Sequence, residues 1–307
     1  MHFRIFTLHP NLFTSYLQQA LIARAMSKHL ISIEIINWRE QFGKGKHKQV
    51  DDRPFGGGGG MVLMVEPIFS ALNQHQAVST LYQPPESSTT HQRILPNNAE
   101  FYRLWLDKIH TQPLKKITIL LTPRGFPLNQ EIVEWLTNFE EINLLSGRYE
   151  GFDARVSELV DLEISLGNFV LNGGEIAAMA LIESVSRLIP GFVGKEKCVS
   201  HDSFSSGVNY YQEELEYILG KRNLQLRKVN SFWKETNNLT IKSQIFDDEF
   251  WLKNLAPQLE HPQYTRPEIW HNWAIPPWLK TGNHKLIQYW RANWWKPEIT
   301  AQLNRLT

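Results

Sequence analysis

A chain of 307 residues with 42% apolar and 21% charged content is long enough to bury a sizeable core, and its balance excludes a disordered or fibrous protein. With 32 Lys and Arg against 31 Asp and Glu, total charge announces no nucleic-acid partner, so any basic surface has to be local. One cysteine, Cys198, excludes an intrachain disulfide, and no apolar run approaches the roughly 20 residues that span a bilayer.

Residues 2–8 read as a short apolar strand. Met1 precedes it with no basic segment and no long apolar stretch of the secretory kind, so a cytoplasmic protein without membrane contact is expected. Asn11 and Ser15 offer caps for a helix running to about Ser27, with Leu17, Ala20, Leu21 and Ala25 on one face. Isoleucines alternate through 31–38 and predict a second strand, the opening of an α/β fold. Residues 39–61 are irregular. They hold Lys44, Lys46, His47 and Lys48, then Asp51-Asp52-Arg53-Pro54-Phe55 and five glycines at 56–60. No Gly-Lys-Ser/Thr follows, so this is not a P-loop. It is either a loose connector or a loop whose bare amides meet a ligand or a partner chain.

A helix is expected at 66–74, a polar surface loop at 83–98 and a short helix at 100–109. The continuous apolar run at 116–122 predicts a buried strand. A helix at 129–139, strands at 142–146 and 162–166, and a short helix at 152–159 follow. Residues 174–189 are apolar almost all round, which calls for cover on more than one side, by the core or by a second subunit. Residues 209–259 are charged and aromatic without a repeat, and 231–240 reads as a loop. From 261 onward tryptophans and prolines are dense. Ala274-Ile275-Pro276-Pro277 is expected to close one helical region, and Asn283 to cap a last helix carrying Leu286, Ile287, Tyr289 and Trp290.

Three of these strands end in glycine-containing loops: Thr122-Pro123-Arg124-Gly125, Ser146-Gly147-Arg148-Tyr149-Glu150-Gly151 and Leu166-Gly167-Asn168-Phe169. Such loops line one edge of a parallel sheet, where open α/β proteins bind ligands. None is Gly-x-Gly-x-x-Gly, which argues against a nicotinamide site. The histidines are scattered and the cysteine is alone, so no metal-ligand cluster is expected.

Several motifs occur in order. They are Asp51-Asp52-Arg53-Pro54-Phe55 with its glycines, Gly147-Arg148-Tyr149-Glu150-Gly151, and Gly167-Asn168-Phe169-Val170-Leu171-Asn172-Gly173-Gly174-Glu175. Then come Ser184-Val185-Ser186-Arg187-Leu188-Ile189-Pro190-Gly191, Asp202-Ser203-Phe204, Tyr264-Thr265-Arg266-Pro267-Glu268 and Thr281-Gly282-Asn283-His284. Together they resemble the bacterial tRNA (guanine-N1)-methyltransferases, the TrmD family, over 1–207 and again over 261–291.

The resemblance implies an α/β domain of the SPOUT class with a deep trefoil knot over 1–195, its knot and cofactor site at about 117–190. It implies an interdomain linker over 196–260, which in this chain departs from the family's short linker by an insertion at about 208–260, and a small C-terminal helical tRNA-binding domain over 261–307. It implies a homodimer with active sites at the subunit interface and the anticodon stem-loop of tRNA as partner. The implied reaction moves a methyl group from S-adenosylmethionine to N1 of the guanosine at tRNA position 37, and leaves a Mg²⁺ requirement open. A related SPOUT enzyme with another target nucleotide, or a non-catalytic RNA-binding relative, are the alternatives.

By the same resemblance Asp202 is the general base and Arg187 the cation beside the guanine oxygen. Cofactor contacts fall to Leu120, Leu121, Thr122, Pro123 and Gly125, and to Gly147, Glu150 and Gly151. They continue at Leu166, Gly167, Asn168, Phe169, Val170 and Leu171, with Gly173 and Gly174. Two positions depart from the family pattern: Asn168 stands where aspartate is frequent, and Gly59 where proline is usual. The 208–260 segment is expected to lie outside the catalytic cleft.

Overall fold

Period-two alternation with apolar residues on both phases dictates a sheet covered on both faces, and the fold is built on one. The computed structural model describes residues 1–79, 82, 115–194, 260–294, 296, 299 and 303. The expected elements at 83–98, 100–109 and 208–260, with Cys198 and Asp202, lie outside the described residues.

Five parallel strands, β1 (His2–Thr7), β2 (Ser32–Asn37), β5 (Lys116–Pro127), β6 (Glu141–Ser146) and β7 (Leu162–Ser165), lie in the order β2-β1-β6-β5-β7, while the short strands β3 (Asp51–Asp52) and β4 (Val62–Leu63) pair antiparallel apart from them. Alternate residues serve opposite cores. Phe3, Ile5, Ile119, Ile142 and Leu144 face one apolar cluster, and Phe6, Leu120 and Leu145 the other. The first cluster is closed by Phe13, by α2 (Ala20–Ser27), by α5 (Gln130–Leu136) and by α6 (Glu175–Arg187). The second is closed by Trp38 at the start of α3 (Trp38–Phe42), by α4 (Val65–Gln74), and by Val156 and Leu159 of a 3-10 turn, Ala154–Leu159. Arg4 ties three strands together on its face, at 2.7 Å from Glu34 and 2.8 Å from Glu141.

Three elements differ from the sequence expectation. The first helix is broken into α1 (Thr14–Leu17) and α2, with Gln19 extended and Ala20 at φ +53°, and neither Asn11 nor Ser15 caps it. The break lets Phe13 and Ile22 reach the same core. Strand β5 runs past 122 to Pro127, because its pairing with β7 jumps from Leu121–Ile164 to Phe126–Ile164 and loops out the four residues between. The stretch before Ala274 is a hairpin, not a helix: β8 (Ile269–Trp270) and β9 (Trp273–Ala274) are joined by His271 and Asn272, at φ +45° and +67°. Two left-handed residues make the tight turn whose twist suits paired strands.

The final helix, α7 (His284–Asn293), starts at Asn283, whose side chain accepts the Leu286 N–H at 3.2 Å. Its Ile287 and Trp290 join Trp278, Leu279 and Trp294 in a third buried cluster, whereas Tyr289 is exposed, against expectation.

Candidate functional site

All five strands point their C-terminal ends the same way, so the loops that leave them gather at one edge. Leu120 and Leu121 are buried at the end of the regular part of β5, and Thr122, Pro123 and Gly125 lie in its looped-out segment. Residues 147–151 leave β6, and 166–174 run from β7 into α6. The last two loops are bonded together. Gly174 N donates to Gly147 O at 3.0 Å, and Arg148 and Gly173 pair as an antiparallel bridge. A Cβ on Gly174 would stand 2.8 Å from Ser146 Cα, so only glycine allows this approach.

Beyond the bridge, Ser165 Oγ accepts the Gly167 N–H at 3.2 Å and Phe169 N bonds Gly167 O at 2.9 Å, a tight turn that leaves Asn168 exposed. Phe169, Val170 and Leu171 then protrude, Val170 at 82% exposure. Ser146 Oγ, buried beneath the loops, has no hydrogen-bond partner.

Two residues that sequence reading left without a role hold this junction. Glu175 opens α6 and is 1% exposed. Its Oε1 accepts from Thr7 Oγ1 at 2.9 Å and from Arg148 Nε at 3.3 Å. Its Oε2 lies 3.0 Å from Arg148 Nη2, at ion-pair distance without hydrogen-bond alignment. A carboxylate in the first turn also suits the positive end of the helix. The available signal was the Gly-Gly-Glu order at a helix start together with an arginine just after a strand.

Glu150 is exposed on the 147–151 loop, where its N–H bonds Met61 O at 3.1 Å. Beside it Tyr149 takes φ +61°, and its hydroxyl accepts from Arg39 Nη2 at 2.8 Å. The five-glycine run is therefore attached at its far end, not a loose connector. Gly59, alone in that run, lies outside the left-handed region.

The C-terminal segment docks on the same side. Asp153, fully buried, receives Arg155 Nε and Nη2 at 2.8 Å each and Thr265 N at 2.7 Å. Thr265 Oγ1 donates to Arg53 O at 2.8 Å, Phe55 N to Tyr264 O at 2.7 Å, and Arg266 pairs with Asp52 at 2.7 Å. Several of the lysines in these segments are engaged inside the chain. Lys44 pairs with Glu66, Lys48 with Glu40 and Lys280 with Glu268, while Lys46 and His47 stand exposed on a hairpin tip.

His261, edge-on to Trp290, is pushed down to about 4 from its ordinary 6.5 by burial and by the nearby charges of Arg291 and Arg124. Below pH 6.5 the unfolded chain binds a proton that the folded chain refuses until about pH 4. Stability present above pH 6.5 is therefore lost as pH falls toward 4. His261→Gln is expected to flatten this part of the stability–pH curve, measured by urea unfolding followed through tryptophan fluorescence.

Arg187 is the last residue of α6 and is exposed. Twelve helical steps separate it from Glu175, about 18 Å at 1.5 Å per residue. Within one chain it does not join the 147–151 and 166–174 loops. The helix is not covered all round either: Ile176, Glu183 and Arg187 form an exposed stripe along it, opposite buried Ala178, Leu181, Ile182 and Val185. Among the described residues no group of three or more His, Cys, Asp or Glu side chains gathers as metal ligands would.

A doubly covered parallel sheet with glycine loops bonded together at its C-terminal edge makes this an α/β protein. The family model described as tRNA (Guanine-1)-methyltransferase TrmD matches residues 1–100, 94–244 and 238–306. A tRNA (guanine-N(1)-)-methyltransferase of Crocosphaera subtropica is 35% identical over 292 residues, covering 95% of this chain and 85% of that protein. One of Synechocystis sp. is 34% identical over 291 residues, covering 95% and 89%. The crystal structure of a tRNA (m1G37) methyltransferase from Aquifex aeolicus aligns at 26% identity with a TM-score of 0.47, over 99% of this chain and 92% of that one. The chain belongs to the TrmD tRNA (guanine-1)-methyltransferase family. The matched ranges take in 208–260, which sequence reading had left outside the resemblance.

Proposed function

We propose that this protein methylates N1 of the guanosine at position 37 of a tRNA, beside the anticodon, with S-adenosylmethionine as donor. It works as a cytoplasmic homodimer, on the knotted SPOUT-class fold of its family, and its C-terminal segment meets the anticodon stem-loop. The observation that carries this reading is the bonded pair of loops 147–151 and 166–174 at the sheet edge, one helix length from Arg187.

The donor supplies a sulfonium-bound methyl group, an electrophile. The residues present fit it. Exposed backbone at 168–172 faces outward from the edge, Ser146 Oγ is an unmatched polar atom beneath it, and Glu150 offers a negative charge to a cationic ligand. Leu120, Leu121, Thr122, Pro123, Gly125, Gly147, Gly151, Leu166, Gly167, Asn168, Phe169, Val170, Leu171, Gly173 and Gly174 complete that pocket. Exposed Asn168 carries no charge, so binding there falls to peptide groups.

Guanine N1 carries a proton near neutral pH. The Asp202 carboxylate takes it, which frees the N1 lone pair to bond the methyl carbon as the carbon–sulfur bond breaks and its electron pair stays on the sulfur, leaving S-adenosylhomocysteine. Negative charge then develops on the exocyclic oxygen, where the Arg187 guanidinium donates hydrogen bonds. Arg187 cannot reach the loops of its own chain, so the partner subunit's loops complete the site. The exposed stripe of α6 and the protruding Phe169, Val170 and Leu171 are the faces that such a pairing covers.

Methyl transfer to a tRNA transcript with guanosine at position 37, against one with adenosine there, tests the reading. Transfer to the guanosine transcript alone is expected. None to either, with Mg²⁺ present, overturns it. Asp202→Ala is expected to slow turnover by about 10²–10⁴-fold while donor affinity by calorimetry stays intact, and unchanged turnover contradicts the base assignment.

A further inference from the structure

The segment 55–63 joins two parts of the molecule whose coupling the methyl-transfer chemistry does not require. At its start it is held by the C-terminal segment. The Arg291 guanidinium, on α7, donates through Nη2 to Gly56 O at 3.1 Å and also to Gly57 O. Phe55 packs against the cluster of Trp278, Leu279 and Ile287, and a Cβ on Gly56 would stand 3.0 Å from Leu279 Cδ2. At its end it is held by the candidate donor loop. Glu150 N bonds Met61 O at 3.1 Å, Leu63 N bonds Gly151 O at 2.9 Å, and Leu63 bridges Phe152. Between these anchors the Glu150 carboxylate lies over Gly60, where a Cβ would come within 2.3 Å of Oε1.

We propose that residues 55–63 are a strap through which α7 positions Glu150, with Arg291 as the positioning residue at its C-terminal anchor. Arg291 suits the task. Its Nη2 donates to two successive carbonyls, which a glycine run can turn toward one donor because Gly56 and Gly57 both adopt left-handed conformations, at φ +79° and +77°. Gly60 has to remain bare for the carboxylate to sit where it does. Whatever the C-terminal segment binds, a shift of α7 is then felt at the donor loop through the strap. Docking of the segment itself rests elsewhere, on Asp153, Arg155 and Thr265. Loosening the strap therefore leaves the segment in place. The identity of Glu150 as a donor contact rests on the methyltransferase reading; the mechanical link does not.

The test compares wild-type full-length protein with Arg291→Ala by hydrogen exchange without ligand, and by calorimetry with S-adenosylhomocysteine. Faster exchange across 147–151 is expected, with protection of 269–274 unchanged and affinity weakened about 2- to 30-fold. Gly60→Ala, at the other end of the strap, is expected to weaken the same affinity. If Arg291→Ala strips protection from 269–294 as a whole, Arg291→Lys, which keeps the stem and loses the fork, is read by the same two criteria. Unchanged exchange at 147–151 overturns the proposal, as does a variant that loses only tRNA affinity, the mark of a simple phosphate contact. Faster exchange in a protein that never binds S-adenosylhomocysteine supports the strap and sinks the donor reading instead.

Discussion

Asp153→Ala is expected to destabilise the protein by about 3–5 kcal/mol, the range for removing one partner of a buried ion pair. The carboxylate is fully buried and Arg155 nearly so, with both guanidinium contacts at 2.8 Å. The same carboxylate caps the Ala154–Leu159 turn through Arg155 N at 3.0 Å and holds Thr265 N at 2.7 Å. Alanine leaves a buried cation and two buried N–H groups unmatched. Because Arg155 Nη2 also donates to Thr265 O at 2.8 Å, the loss falls on the joint between the sheet and the C-terminal segment. The buried tryptophans at 278, 290 and 294 report it, as an earlier fluorescence transition in urea. Arg266→Ala is the control. Its pair with Asp52 is 62% exposed on the arginine side, and exposed pairs contribute at most about 1 kcal/mol. Equal losses for the two variants would show that the buried hub holds nothing special.

That hub shows what the sequence could and could not reveal. Period and run length were enough for the strands at 116–122 and 142–146, because a buried parallel strand is apolar on both faces wherever it sits. The Asn283 cap was legible for a local reason: donor and acceptor are three residues apart. Contacts made by folding were not. Asp153 and Thr265 are 112 positions apart, and Arg148 and Glu175 are 27 apart, joined only once β6 and β7 lie in one sheet. The looped-out residues 122–125 look like a strand end followed by a turn, and nothing local says that the strand resumes at Phe126. His271-Asn272 turns a hairpin without the Asn-Gly or Asp-Gly pair that announces one. The glycine run was ambiguous because composition gives freedom, whereas Arg291, Met61 and Glu150 give position. For the candidate site, the motifs supplied its loops in order, and the geometry added the Glu175 brace and the separation of Arg187 from those loops.

That separation yields the sharper catalytic prediction. Arg187→Ala alone is expected to lower turnover by about 10²–10³-fold, the usual effect of deleting one donor to a developing oxyanion. Such a loss does not say which subunit's site the residue serves. Mixing does. Glu150→Arg places a cation on the loop proposed to hold the donor's sulfonium, at an exposed position that tolerates the change, and is expected to be inactive by itself. If Arg187 serves the partner's loops, a heterodimer of the two variants holds one site with both defects and one with neither. Random reassortment makes half the dimers mixed, so activity should return to about a quarter of wild type. If Arg187 serves its own chain, every site carries one defect and mixing restores nothing. Recovery should also require exchange of subunits, appearing after co-refolding or co-expression and not on brief mixing of preformed dimers. An α6 that carries Arg187 about 18 Å from its own loops leaves the second outcome only if the chain bends back to bring that end home. Glu175 to Arg187 is a single α-helix with no proline and no glycine between its ends. Nothing in it provides the usual cause of such a bend.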